Sequence, residues 1–335
     1  MKKNRLFIVL SASFLLLLGA GLIYQQIITS PPLAEYRFFA MDTLCLLKVD
    51  KNHADILPQM ENEIRRMEKK YSRYRDDSLI RELNMSGSVE DETLAMLLRS
   101  YFKESEIIRR YFRPEMGVLM DLWDFPGGGK IPKRQTLRQA LDVLSREHVQ
   151  VRGNTVSLAQ GLSLDLGGLF KGWMLDRLME MAFKRGVRYA VINLGGDVAL
   201  FSKRPRLWKI GVRNPRGDGV STWIEKKDSL LFVVTSGDYE RFFMKENTRY
   251  HHILSPLTGY PARDVQSVTV IDSSGLRADI LSTAYFAGAQ EKEAFFEAED
   301  PRTSILMIYQ DGQRTMWNLE EEKNERGFIF YSSSP

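Results

Sequence analysis

The sequence predicts an α+β fold, with mixed sheets and packed helices behind one N-terminal apolar helix. Three observations lead there. Amphipathic helical segments fill the first half of the chain, and short β-rich runs dominate after Val149. The two kinds do not alternate strictly, as a doubly wound sheet would require, and no glycine-rich Rossmann or Walker pattern occurs. Finally, 335 residues that are 44% hydrophobic and 27% charged suit a folded domain of large size.

Taken in order, Lys2, Lys3 and Arg5 precede an apolar run from Leu6 to Tyr24, long enough to cross a hydrocarbon core. Basic residues ahead of such a run favour a cytoplasmic N-terminus and an exported remainder. Residues 1–25 therefore read as a signal anchor and residues 26–32 as a proline-containing linker. Gly19-Ala20-Gly21 leaves cleavage open. The folded body is expected over residues 33–330.

That body opens on a strand expected over Tyr36–Val49, with Met41-Asp42-Thr43 inside it. Ile56, Met60, Ile64 and Met67 recur at helical spacing and predict a surface helix over Ala54–Arg73. Asp77–Asn84, Thr93–Tyr111 and Gln135–Leu144 repeat the pattern, the last after the turn-rich Pro126–Pro132. In Phe112–Phe125 the buried face is expected to be Val118, Leu122 and Phe125. Strands are expected at Thr155–Leu158, Tyr189–Leu194, Trp208–Val212, Leu230–Thr235, Val268–Ile271 and Ile305–Tyr309. Helices are expected at Gly172–Lys184, Asp279–Ala287 and Gln290–Ala298.

Composition narrows the function. The net charge of +4 arises from 47 basic and 43 acidic residues interspersed along the chain, which gives no reason to invoke nucleic acid. The single cysteine, Cys45, excludes an intrachain disulfide and thiol-pair redox chemistry.

Four segments could carry chemistry. Asp279 and Thr283 lie four apart, so a helix brings the carboxylate and the hydroxyl to one face near its expected start. Hard cations such as Mg²⁺ take oxygen ligands of this kind, although an Asp there also serves as a cap. Asp165-Leu166-Gly167-Gly168-Leu169-Phe170-Lys171-Gly172 places paired glycines before a helix, a form that lets backbone approach an anion. Asn193-Leu194-Gly195-Gly196-Asp197 ends a strand, as either a site at a sheet edge or a tight turn. His251 and His252 are adjacent in the run after Thr235–Arg241. In a strand they would point to opposite faces, so at most one can line a site.

Together these segments resemble the ApbE family, the FAD:protein FMN transferases. Met41-Asp42-Thr43 resembles the family's Met-Gly-Thr, and Tyr71–Ile80 its Ser-x-Tyr…Ser-x-Ile element. Gly117-Val118-Leu119 with Leu122-Trp123 resembles its Gly-Pro-Leu…Leu-Trp. Asp165–Gly172, Asn193–Asp197, Thr235–Tyr239, His251–Gly259 and Ala278–Thr283 follow in the family's order.

The resemblance implies an ApbE-like fold and Mg²⁺-dependent transfer of FMN from FAD to a Thr or Ser hydroxyl of an extracytoplasmic electron-transfer protein, releasing AMP. FAD would be substrate, not redox cofactor. It further implies Gly168, Asp279 and Thr283 as Mg²⁺ ligands, His252 as activator of the hydroxyl, and Met41, Tyr74, Arg113, Asp165, Lys171 and Ile253 as FAD contacts. A pyrophosphatase giving FMN and AMP, or a non-catalytic FAD carrier, stands as the alternative. Four departures bear on the flavin: Asp42 for glycine, Arg113 for the aspartate of Phe-Asp-Pro, Phe170 for a small residue, and Ser255 for the Asp before Pro256.

Overall fold

Eight strands lie side by side in chain order, each antiparallel to the next. They are Leu33–Ala40, Thr43–Asp50, Tyr189–Leu194, Asp197–Arg213, Val220–Gly237, Val265–Asp272, Ser304–Tyr309 and Arg314–Trp317. Glu320–Lys323 and Ile329–Ser332 complete a ten-stranded sheet, the latter parallel to Val220–Gly237 with Phe330 opposite Trp223. The computed structural model describes residues 32–332 apart from 147, 298–302 and 324–328. The expected signal anchor and all but Pro32 of the expected linker lie outside the described residues. Among the described residues, no helix is long and apolar enough to cross a membrane.

The single strand expected over Tyr36–Val49 is a hairpin. Met41 and Asp42 take left-handed backbone angles (φ 52° and 57°), and Ala40 pairs with Thr43 across them. Two left-handed residues make the turn whose twist matches that of its flanking strands. Alternation runs unbroken through this turn in the sequence, which hides it. The strands expected at Trp208–Val212 and Leu230–Thr235 are parts of strands of 17 and 18 residues. Their remainder is charged, and the register shifts between Phe201 and Arg206, where Pro205 cannot donate to the ladder.

Helices pack on the sheet where the apolar periodicity places them. Leu57–Tyr71 buries Met60, Ile64 and Met67. The helix expected over Thr93–Tyr111 is two helices, Glu92–Phe102 and Glu106–Tyr111, the first capped by Asp91, which accepts the Leu94 N–H. In Gly117–Trp123 the buried residues are Gly117, Leu119 and Trp123, with Val118, Leu122 and Phe125 only partly buried, which corrects the expected face. The indole N–H of Trp123 reaches the Gly259 carbonyl at 2.7 Å and ties this helix to the Ser255–Gly259 turn.

Helix Gly275–Ala287 begins one turn earlier than expected, capped by Ser274, and is buried along nearly its whole length. It crosses helix Phe170–Arg185 at a pair of glycines. A β-carbon on Gly172 would stand 2.1 Å from the Gly275 carbonyl oxygen, and one on Gly275 would stand 2.3 Å from the Gly172 carbonyl oxygen. Only glycine permits that approach. The central strand Val265–Asp272, buried at every position, backs helix Gly275–Ala287.

Candidate active site

Each helix of the glycine crossing supplies a carboxylate to the other's first turn. Asp176 accepts the N–H groups of Gly275 and Leu276 at 2.7 and 2.8 Å. In return, the Gly172 N–H donates to Asp279 Oδ2 at 2.9 Å. N–H groups of a first helical turn have no partner in their own helix, so both caps answer a local need. Asp279 therefore caps a neighbouring helix and lies in the second turn of its own, which corrects the position expected near that helix start. Among the described residues, no hydrogen bond occupies Asp279 Oδ1.

Thr283 follows one turn later, and its hydroxyl meets that of Ser236 at 3.3 Å. The Gly168 backbone lies against it, since a β-carbon there would come within 3.0 Å of Thr283 Oγ1. A buried carboxylate, a hydroxyl and a glycine turn thus converge. Lys171 stands beside them, its ammonium in ionic contact with Asp197, which is 2% exposed. Burial pushes the Asp279 carboxyl up to about 7, and Asp197 adds to the effect against the lowering influence of Lys171 and the Gly172 N–H. Burial works to lower the Lys171 ammonium, but Asp197 and then Asp279 outweigh it and raise its pKa.

The donor set suits a hard cation. It is all oxygen, and with Asp279 ionised the wider group of Asp279, Asp197 and Lys171 carries one net negative charge. Among the described residues, no three His, Cys, Asp or Glu side chains converge to cage a metal. A cation held by Asp279, Thr283 and the Gly168 carbonyl would keep room for water and for phosphate oxygens, as Mg²⁺ does.

A cleft of about 880 Å³ opens beside this group, lined by Glu68, Tyr74, Glu240, Arg241 and His252 among others. Its size is that of sites for large cofactors. Glu240 and His252 both lie within electrostatic reach of Lys171, which connects the cleft to the buried carboxylates.

The two histidines divide their work, although strand Thr248–His251 ends at the first of them. His251 is buried, donates from Nε2 to the Ala262 carbonyl at 2.5 Å, and accepts the Ile253 N–H on Nδ1 at 3.3 Å. His252 faces the cleft, with Nδ1 at 3.3 Å from the Arg241 carbonyl. A carbonyl only accepts, so the proton sits on Nδ1 and Nε2 presents a lone pair. Desolvation, then Arg241 and His251, hold the His252 imidazole well below its ordinary pKa and hence neutral.

Burial likewise takes His251 down to about 4. An unfolded chain protonates this residue below pH ~6.5, whereas the native state refuses the proton until about 4. Its contribution to stability is therefore full above pH ~6.5 and is lost as pH falls through that interval. His251→Gln should flatten the decline of melting temperature between pH 6.5 and 4; an unchanged slope would place the proton uptake elsewhere.

The remaining expected residues sort as follows. The Met41 N–H donates to Glu68 at 2.9 Å, which fixes the hairpin turn at the cleft rim. Tyr74 lines the cleft over Arg73, whose guanidinium donates to Asp165 at 2.8 Å and to the Gly117 carbonyl. Asp165 also accepts the Gly167 N–H at 2.7 Å and so shapes the glycine turn. Ile253 is buried in the main core behind His252. Arg113 pairs with Glu115 at 2.6 Å, meets His148 and reaches the Leu144 carbonyl at the end of helix Arg134–Arg146. It is not among the residues lining the cleft.

The other departures also have local causes. Asp42 occupies a left-handed position that Asp tolerates better than most residues, and its exposed carboxylate faces Arg241 at 3.6 Å. Ser255 accepts the Leu257 N–H at 3.3 Å, a turn contact that an Asp would make with its carboxylate. Phe170 packs between Tyr71 and Trp173. Sequence reasoning missed the structural use of Asp176, Asp197, Glu68 and Arg73. Asp197 was signalled by its Gly-Gly-Asp turn; Asp176, one acid in a long helix, carried no local signal.

Fold and site together define the ApbE class, and the chain belongs to the ApbE family, whose model matches residues 41–307. It is 32% identical over 298 residues to the FAD:protein FMN transferase of Treponema pallidum (strain Nichols), covering 80% of this chain and 82% of that protein. The FAD:protein FMN transferase of Vibrio cholerae (serotype O1, strain O395) is 27% identical over 98% of this chain and 97% of its own length. Among solved structures, the ApbE protein of Thermotoga maritima superposes with a TM-score of 0.78 at 31% identity, over 85% of this chain and 97% of that one. The apo flavinyl transferase ApbE of Pseudomonas stutzeri, at 23% identity and a TM-score of 0.70, shares the fold.

Proposed function

We propose that this chain is an Mg²⁺-dependent FAD:protein FMN transferase, held to the membrane by its N-terminal helix, that modifies extracytoplasmic electron-transfer proteins and releases AMP. The observation that carries the reading is the meeting of Gly168, Lys171, Asp279 and Thr283 beside a cleft into which His252 presents an unprotonated Nε2. Membership of a family whose relatives are FAD:protein FMN transferases supports the choice of substrate.

In this reading FAD lies in the cleft with its pyrophosphate toward Lys171. Bound at Asp279, Thr283 and the Gly168 carbonyl, Mg²⁺ would supply neutralising charge for the phosphates. His252 Nε2 accepts the proton of a Thr or Ser hydroxyl of the acceptor as that oxygen attacks the phosphorus nearer the flavin. The new P–O bond forms as the bridging P–O bond breaks, so FMN stays on the acceptor and AMP leaves. Lys171 places its ammonium where negative charge grows on the pyrophosphate oxygens. Arg241 holds the His252 tautomer through its main-chain carbonyl.

His252→Ala should slow transfer by ~10²–10⁴-fold, the range for a lost general base, and leave FAD binding within a few fold. Equal losses in transfer and binding would make His252 a structural residue. For the anchor, fractionation of cells should place full-length chain in membranes with its body outside the cytoplasm. A soluble form beginning near Gln25 would show cleavage instead.

A further inference from the structure

We propose that Asp197 is a positioning residue for the cation site: it tethers the Lys171 ammonium and keeps it off Asp279, so that Asp279 stays available to a divalent cation. The inference rests on the cation-site reading above.

The chain builds Asp197 into place with two hairpins set side by side. Gly195 and Gly196 turn the chain with φ of 71° and 107°, and Leu194 pairs with Asp197 across them. A β-carbon on Gly195 would come 2.3 Å from Thr43 Oγ1, so the turn is pressed against the Met41–Asp42 hairpin. Asp197 Oδ1 then accepts the Thr235 N–H at 3.1 Å, which fixes the carboxylate at the start of its strand. Among the described residues, its buried Oδ2 finds its polar partner in the Lys171 ammonium.

The cap on helix Phe170–Arg185 is already supplied by Asp279, and the Asn193 side chain closes the glycine turn through the Gly196 N–H at 2.8 Å. What remains for the outer oxygen of Asp197 is Lys171. The lysine stem is flexible and its charge compact, so it settles on the nearest uncompensated carboxylate. Asp279 is the second strongest attraction on this ammonium, ahead of Glu240. With Asp197 neutralised, the half-buried Lys171 ammonium loses its ionic partner, and moving onto Asp279 restores one. An ammonium there occupies the oxygen that a cation would use.

The test titrates the full chain with Mn²⁺ alone and reads free metal by its paramagnetic resonance, so flavin turnover does not enter. Asp197→Asn should weaken Mn²⁺ binding ~10-fold, as one site charge is masked by Lys171. Adding Lys171→Met to that variant should restore binding to within ~3-fold of the parent, because the net site charge returns to its original value. Lys171→Met alone should bind at least as tightly as the parent. Parent-like binding by Asp197→Asn overturns the tether, and so does a double variant as weak as the single. If melting scans show Asp197→Asn unfolded, the Lys171→Met variant decides, and weakened binding there overturns the proposal. A parent chain that binds no Mn²⁺ overturns it as well. Three shifts as expected in a chain that transfers no FMN would support the tether and overturn the transferase reading.

Discussion

Asp279→Ala should lower Mg²⁺-dependent AMP release by at least ~10³-fold, since it removes the only carboxylate among the three proposed cation ligands. The same change deletes the acceptor for the Gly172 N–H, a buried hydrogen bond whose loss costs about 1–3 kcal/mol. Part of that cost is offset, because a carboxylate pushed up to about 7 by burial is itself unfavourable when charged. The fold should therefore survive while turnover does not. Circular dichroism and AMP release on the same sample separate the two effects. Asp279→Asn refines the result: it can still cap Gly172 through its amide oxygen but offers no anionic ligand. Full AMP release from either variant would remove the cation site from this position.

Gly172→Ala should be the most destabilising single methyl in the site, by about 3 kcal/mol, at the upper end of the usual cost of overpacking. The added carbon meets the Gly275 main-chain oxygen at 2.1 Å and the Asp279 β-carbon at 2.6 Å. Neither obstacle is the end of a flexible side chain, so the two helices must part. Because Asp279 is carried on the helix that moves, transfer should fall with stability. Chemical denaturation at equilibrium measures the first loss and AMP release under folding conditions the second. A Gly172→Ala variant of parental stability would mean that the crossing is looser than the contacts require.

Much of the architecture was legible because period and burial agree. The Met60, Ile64 and Met67 spacing placed a helix whose buried face is made of those residues. Tyr189–Leu194 came out with its expected bounds. Legibility failed where turn chemistry or tertiary contact overrode the pattern. Met41–Asp42 hides a reversal inside an alternating run, since Asp at a left-handed position gives a weaker turn signal than glycine. The charged ribbon around Pro205 has no apolar period to read.

Within the site, residues four apart on one helix could be paired from sequence, whereas the two histidines part because the strand ends between them. The cross-helix caps could not be read from sequence. Asp176 and Asp279 each serve a helix distant in sequence, and nothing local distinguishes such an acid from a solvated one. The partners of Arg113 were equally hidden. Its guanidinium meets Glu115 and the Leu144 carbonyl, and the second lies 31 residues away, where no local pattern points to it.

The central claim is that the cleft passes FMN from FAD to a protein hydroxyl with the help of a cation. Its most direct test incubates the full chain with FAD and Mg²⁺, with and without an acceptor protein bearing an exposed Thr or Ser flavinylation segment. Acid-stable flavin fluorescence should appear on the acceptor band of a denaturing gel, matched by AMP and abolished by EDTA. FAD recovered intact, or AMP and free FMN with an unlabelled acceptor, would contradict the account.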